Sequence, residues 1–301
     1  MATEMGIAKT TAHRWLHLGL DLLISLKHAF VRWPTVEECR RSASQFESYA
    51  KIKGVIGSVD CSHIAVRVRD KERTAYNCRK MFYSIHLLAV VDAADRFLYI
   101  RIGDSGADAD ARVLRYSGML REQFQCVMHG QDPPIPYGYF IIADGGFMAL
   151  PWVVSNYQGV DLRFKEARRF NNAVAATRHG VERAYGQLKA RFKILSGRQS
   201  FNSIEQVSRM VWAAVVLHNA NLDFESTHEA LVRGPATVSD GEPCANVIEQ
   251  QRQFAEVLQA EAAQSDLDLM AWPERLTRSA GKAVRRSVAL DTLGLATSLN
   301  L

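Results

Sequence analysis

The sequence has few of the features that mark membrane, secreted or nucleotide-driven proteins. Its 301 residues include only five cysteines, Cys39, Cys61, Cys78, Cys126 and Cys244, with no CxxC pair. An odd, dispersed set argues against a disulfide framework and against a zinc module, and for reduced thiols inside a cell. No apolar run nears the roughly 20 residues of a membrane helix. The run at 213–217 falls far short. No basic region followed by an apolar stretch and small residues opens the chain, so a secretory leader is not expected. No Walker-type phosphate loop occurs, which argues against a nucleotide-driven motor. What remains is ordinary globular composition, 48% hydrophobic and 23% charged, at a length that can bury a sizeable core.

Charge is modest in sum and uneven in place. The net charge is +5. Residues 163–198 carry ten Lys or Arg and only two acids, Glu166 and Glu182, whereas 222–274 carry eleven acids and two basic residues. A basic block of that size suits a polyanion such as DNA. A solvated charged face is the competing reading.

Three regions follow from patterning. Residues 1–49 read as a helical segment. Trp15, Leu18, Leu22 and Leu26 recur at helical spacing after Thr10 or Thr11 as N-cap. This resembles the second half of a helix-turn-helix, with Lys9, Thr10, His13 and Arg14 towards DNA. An ordinary packing helix is the plainer reading. Residues 50–220 alternate strands and helices and form the expected α/β core, a mixed sheet flanked by helices. Short apolar strands are expected at 55–59 and 139–143, each ending at an aspartate, Asp60 and Asp144. Runs at 82–91 and 97–102 read as a hairpin around Asp92 and Asp95. A long helix is expected at 173–195, with Val181, Tyr185, Leu188, Phe192 and Leu195 on one stripe. A final core helix is expected at 204–220. Residues 221–301 read as an acidic then basic tail, partly disordered, with a helix at 248–263.

The carboxylates carry the chemistry. Strand C-termini are where α/β folds place functional groups. If the strands ending at Asp60 and Asp144 are neighbours, a helix crossing that edge could add Glu182. Three converging carboxylates repel unless cations neutralise them, and hard oxygen donors suit Mg²⁺ or Mn²⁺. Two such ions can stabilise the attacking and leaving oxygens of phosphodiester cleavage. Around Glu182, Arg178 precedes by one turn, Gly186 follows by one, and Lys189 continues the face. Arg178, Arg183, Lys189 and Arg191 are therefore the DNA-contact candidates of this helix. The structural alternatives are a Glu182–Arg178 pair one turn apart and aspartates that merely close turns.

Several segments resemble the Harbinger-type (PIF/Harbinger) transposases and the nucleases derived from them. They are Gly57-Ser58-Val59-Asp60-Cys61-Ser62-His63-Ile64; Tyr76-Asn77-Cys78-Arg79-Lys80 leading to Tyr83-Ser84-Ile85-His86; the turn at 103–112; Ile142-Ala143-Asp144-Gly145-Gly146-Phe147; Phe170-Asn171-Asn172 with the helix at 178–192; and Val216-Leu217-His218-Asn219. The resemblance implies an RNase H-like fold. It implies a DDE site in which Asp60, Asp144 and Glu182 hold divalent metal, two ions of Mg²⁺ or Mn²⁺. It implies a DNA endonuclease or transposase releasing a 3′-hydroxyl at transposon ends. It also implies a nuclear location, with the cytoplasm a second possibility, a Myb-like partner protein and no membrane, and leaves a homo-oligomer open. The reading set against it is a domesticated, catalytically silent DNA-binding or scaffold protein. Asp110 with Arg112 reads as a helix start with an ion pair, His63 and His86 as packing or hydrogen-bonding residues, and Trp152 and Trp212 as core.

Overall fold

The computed structural model describes residues 6–69, 73–197, 203–233, 241–264 and 274–293. Residues 1–5, Arg198 and 294–301 lie outside them. Among the described residues five strands form one sheet: β1 (Val55–Ala65), β2 (Ser84–Val91), β3 (Phe97–Ser105), β4 (Phe140–Ala143) and β5 (Val153–Ser155). Their order is β3-β2-β1-β4-β5. The pairs β1–β2 and β2–β3 are antiparallel, while β1–β4 and β4–β5 are parallel. This is the mixed α/β sheet expected.

Among the described residues ten α-helices surround it: α1 (Lys9–Ser25), α2 (Lys27–Phe30), α3 (Val36–Ala50), α4 (Arg73–Tyr76), α5 (Asp110–Arg115), α6 (Gly118–Met128), α7 (Lys165–Arg191), α8 (Ile204–Arg233), α9 (Ala245–Gln264) and α10 (Glu274–Leu293). Strand alternation splits the core in two. Val59, Leu88 and Val90 pack with Val113 of α5, Phe124 of α6 and Phe254 of α9. Leu87, Ala89 and Val91 face the other way, onto Val181 and Leu188 of α7 and Val211 of α8.

The strand carrying Asp60 is longer than its apolar stretch suggests. Expected over 55–59, it runs on to Ala65. Backbone pairing with β2 continues residue by residue, from Asp60 opposite Ala89 to Ala65 opposite Ser84. Ladder hydrogen bonds are indifferent to side-chain polarity, so Asp60 lies within the strand rather than at its end. The β2–β3 hairpin is as expected. The Asp92 carboxylate accepts from the Ala94 and Arg96 amides, both at 2.9 Å, and Asp95 takes a left-handed φ of 64°. Asn219 of α8 clamps the hairpin's exit: its Oδ1 accepts from the Phe97 amide at 3.0 Å, and its Nδ2 donates to the Phe97 carbonyl at 2.8 Å. Trp152 is core and Trp212 packs half-buried beside the α7–α8 cluster.

Two expectations are corrected. Helix α1 has Ala8, not Thr10 or Thr11, as its N-cap, without a side-chain cap bond. Its apolar stripe does not pack inward: Trp15 is 70% exposed, and Leu18, Leu22 and Leu26 are exposed too. Polar contacts hold α1 to α8 instead, with Arg209 donating to Asp21 and lying 3.3 Å from His17. Within 221–301 the described residues are largely helical. Helix α8 extends into it, Phe254 and Leu258 of α9 enter the main core, and Val284 and Val288 of α10 pack with Phe140 and Val174. Local composition there is polar, but the two apolar stripes are completed by surfaces far away in sequence.

Gln251 shows how firmly α9 is built in. Fully buried, it accepts from the Gly138 amide at 2.7 Å and donates towards the carbonyls of Tyr139 (3.1 Å) and Pro151 (2.9 Å). It therefore ties both segments that flank β4. Gln251→Leu leaves those buried groups unsatisfied and is expected to cost about 3 kcal/mol, read as a lower urea midpoint in equilibrium unfolding. An unchanged midpoint would show that α9 is peripheral.

Candidate active site

Asp60 lies at the centre of the sheet, and its side chain faces α7. Ser62, two residues on, faces the same way. Helix α7 crosses this face with Arg178, Glu182, Tyr185 and Lys189 on one stripe, spaced four, three and four apart. Each of three stripe residues holds β1. The Tyr185 hydroxyl lies 2.8 Å from the carbonyl oxygens of both Asp60 and Leu87, sharing its one hydrogen between them. Lys189 donates to Ser62 Oγ at 2.7 Å and to the His63 carbonyl at 3.1 Å. Arg178 Nη2 reaches Asp60 Oδ2 at 3.3 Å.

The same Arg178 nitrogen lies 3.9 Å from Asp144 Oδ2 and 3.8 Å from Glu182 Oε1. Three carboxylates from β1, the β4 exit and α7 thus surround one guanidinium nitrogen. No two of these oxygens are farther apart than twice 3.9 Å. Asp144 follows β4 directly, and its Oδ1 accepts from the Gly146 amide at 2.8 Å, which closes the turn and aims the other oxygen inward. Gln158 donates to the Gly145 carbonyl across the same turn. Glu182 is the most exposed of the three.

One positive charge does not neutralise this cluster. Burial pushes the Asp60 carboxyl up to about 6, against the opposing pull of Arg178, and Asp144 adds to the rise. Arg178 Nε is buried without a hydrogen-bond partner, so the guanidinium is incompletely satisfied. A site of three oxygen donors with excess negative charge fits a hard divalent cation. Asp60, Asp144 and Glu182 are the residues that would hold it.

The remaining sequence candidates divide sharply. Lys9, Thr10, His13 and Arg14 are exposed on α1. Arg183, Lys189 and Arg191 of α7 are engaged within the fold. Arg183 grips Asp95 through two bonds of 2.6 and 2.7 Å, Lys189 clamps β1, and Arg191 meets His218 and Glu225. Periodicity showed they were cationic and on a helix, not that acceptors awaited them. Arg112 pairs with Asp108 rather than Asp110, at 3.6 Å. The basic residues that patterning passed over, Arg67, Arg69, Arg73 and Lys80, line an open cavity beyond the end of β1. Tyr185 was legible only as an apolar-stripe residue, and its being Tyr rather than Phe was the available signal.

Comparison with known proteins fits this architecture. Residues 59–219 match the DDE superfamily endonucleases, a span containing Asp60, Asp144 and Glu182. The chain belongs to that family. Among curated proteins it is 28% identical over 229 residues to "Putative nuclease HARBI1" of Bos taurus, covering 74% of this chain and 62% of that protein. The Homo sapiens counterpart is 27% identical over the same shares. "Protein ALP1-like" of Arabidopsis thaliana is 27% identical over 202 residues, 64% of this chain and 48% of that protein. The chain therefore spans less than two thirds of the length of these relatives. The Harbinger-type resemblance holds at this level. No solved structure matches significantly.

The raised Asp60 carboxyl has a consequence for stability. A carboxyl whose folded pKa exceeds its unfolded value favours the fold at low pH, and that contribution is lost as pH rises through the folded value. From the ordinary 3.8 to about 6, metal-free protein pays for an ionised Asp60 above that window. Asp60→Asn is expected to stabilise the metal-free protein at pH 8 by about 1–2 kcal/mol, read as a higher Tm, with little gain at pH 4. A lower Tm at pH 8 would show that Arg178 already compensates the charge.

Proposed function

We propose that this protein is a divalent-metal-dependent DNA endonuclease of the DDE type, acting at transposon-like ends, with Asp60, Asp144 and Glu182 as metal-holding catalytic residues. The observation that carries the reading is the meeting of all three carboxylates on Arg178 Nη2. Mg²⁺ or Mn²⁺, two ions in all, would supply Lewis acidity and counter-charge for the scissile phosphate. The arrangement of two antiparallel pairings, β3–β2 and β2–β1, followed by two parallel ones, β1–β4 and β4–β5, supports an RNase H-like fold. A DNA substrate accords with a nuclear location, and assistance by a Myb-like protein belongs to the same proposal.

The chain's own residues have separable tasks. Asp144 is aimed by its Gly146 hydrogen bond and Asp60 by the Cys61 amide, which donates to its Oδ1 at 2.8 Å. Arg178 is freed from the carboxylates once other cations neutralise them, and its fork then suits a phosphate. The product is a 3′-hydroxyl end. Gly186, one turn after Glu182, has open space where a Cβ would be, so it is not demanded by internal packing. An approaching DNA strand supplies a reason for it.

With supercoiled plasmid and Mn²⁺, Asp60→Ala and Glu182→Ala are expected to lower nicking at least about a hundredfold. Equal nicking by wild type and both variants would remove the assigned site. Gly186→Ala is expected to raise stability by about 1 kcal/mol in the exposed helix while weakening DNA binding in a gel-shift titration. Unaltered DNA binding would leave that glycine without a role at the site.

A further inference from the structure

The opposite face of β1 carries a second constellation. Cys61 follows Asp60, so its side chain points to the other side of the sheet. His86 of β2 shares that face, in step with Leu88 and Val90, and Asp110 opens α5 above it. Cys61 Sγ, a ring nitrogen of His86 and an Asp110 carboxylate oxygen all lie within 4.8 Å of one another. His86 is the informative member. It is 1% exposed, and its Nε2 lies 3.1 Å from the Asp108 carbonyl oxygen. A carbonyl only accepts, so Nε2 carries the hydrogen, and in the neutral ring Nδ1 keeps a bare lone pair. That Nδ1 is buried with no hydrogen-bond partner. Asp110 Oδ1 lies 3.4 Å from it, an acceptor that cannot satisfy a lone pair.

An imidazole whose far nitrogen is held by a carbonyl and whose near nitrogen is orphaned among a thiol and a carboxylate is the usual setting of a metal-ligating histidine. We propose that Cys61, His86 and Asp110 bind Zn²⁺ or a cation of similar softness, at a site separate from the oxygen-only cluster across the strand. Thiol, imidazole and carboxylate together select zinc-like ions, whereas Mg²⁺ and Mn²⁺ favour oxygen donors alone. In a tetrahedral zinc site neighbouring donors stand about 3.3–3.8 Å apart. The present spacing closes to that by rotation of the Cys61 and Asp110 side chains, the latter 42% exposed. Binding replaces the Cys61 thiol proton, which passes to solvent, by a sulfur–metal bond. The ion would pin the first turn of α5 to the β1–β2 pair, and a fourth coordination position stays open.

The test is cobalt substitution of the reduced 301-residue chain after chelator treatment. Co²⁺ is expected to bind with a thiolate charge-transfer band that Zn²⁺ quenches. Cys61→Ser should abolish the band, and Asp110→Asn, at a partly exposed residue, should weaken Co²⁺ binding by about tenfold or more. Asp60→Asn and Glu182→Gln should leave the band in place. No band, a band that survives Cys61→Ser, indifference to Asp110→Asn, or loss of the band in Asp60→Asn would each overturn the proposal. The readout is independent of DNA nicking, so failure of the nuclease reading and failure of this one are distinguishable.

Discussion

The contact of α7 with β1 is the constraint on which the site depends. Three carboxylates do not gather on one nitrogen by mutual attraction; their repulsion must be overcome by packing elsewhere. Val181, Ala184 and Leu188 supply that packing against the β2 face. Tyr185 and Lys189 then lock the register of helix on strand through the main-chain oxygens of Asp60, Leu87 and His63, with Lys189 also donating to the Ser62 hydroxyl. With the register fixed, Arg178 and Glu182 have no choice but to meet Asp60. The raised carboxyl of Asp60, pushed up chiefly by burial and further by Asp144, is a group held where its ionised form is disfavoured, which is common at sites built for function.

Elsewhere the fold relies on side-chain amides that mimic a strand partner. Asn219 does this for Phe97, Asn171 for Tyr157, accepting from its amide at 2.9 Å and donating to its carbonyl at 3.0 Å, and Gln123 for Ile135. Two of these residues fall in motifs that gave the family resemblance. Their task is to fasten loops and hairpins to helices, so a motif residue need not be one that touches substrate. The same holds for Arg183, whose fork is spent on Asp95 at the hairpin turn.

Strand β1 therefore presents different chemistry on its two faces. One face offers oxygen donors to α7, the other the Cys61 thiol to α5, beside the His86 imidazole of β2. Pleating alone separates Asp60 from Cys61. The division places hard and soft donors back to back within the most central strand of the sheet, each completed by a helix from a different part of the chain.

The sequence by itself determined the α/β class, the hairpin around Asp92 and Asp95, the long helix and the three acids worth watching, because periodicity and turn chemistry are local properties. It understated β1, since backbone pairing through Asp60 and His63 leaves no apolar trace. It left open what the cations of the basic stripe meet inside the fold, because charge patterning reports a cation but not whether Asp95, Ser62 or Glu225 stands opposite. The region after 221 looked loose because the partners of α9 and α10, Phe124 and Phe140 among them, lie more than a hundred residues earlier. Scattered cysteines spoke against a zinc module, and only tertiary structure brought Cys61 to His86 and Asp110. Local sequence fixes which face of an element is apolar; which distant group stands against its polar atoms is decided by how the elements pack.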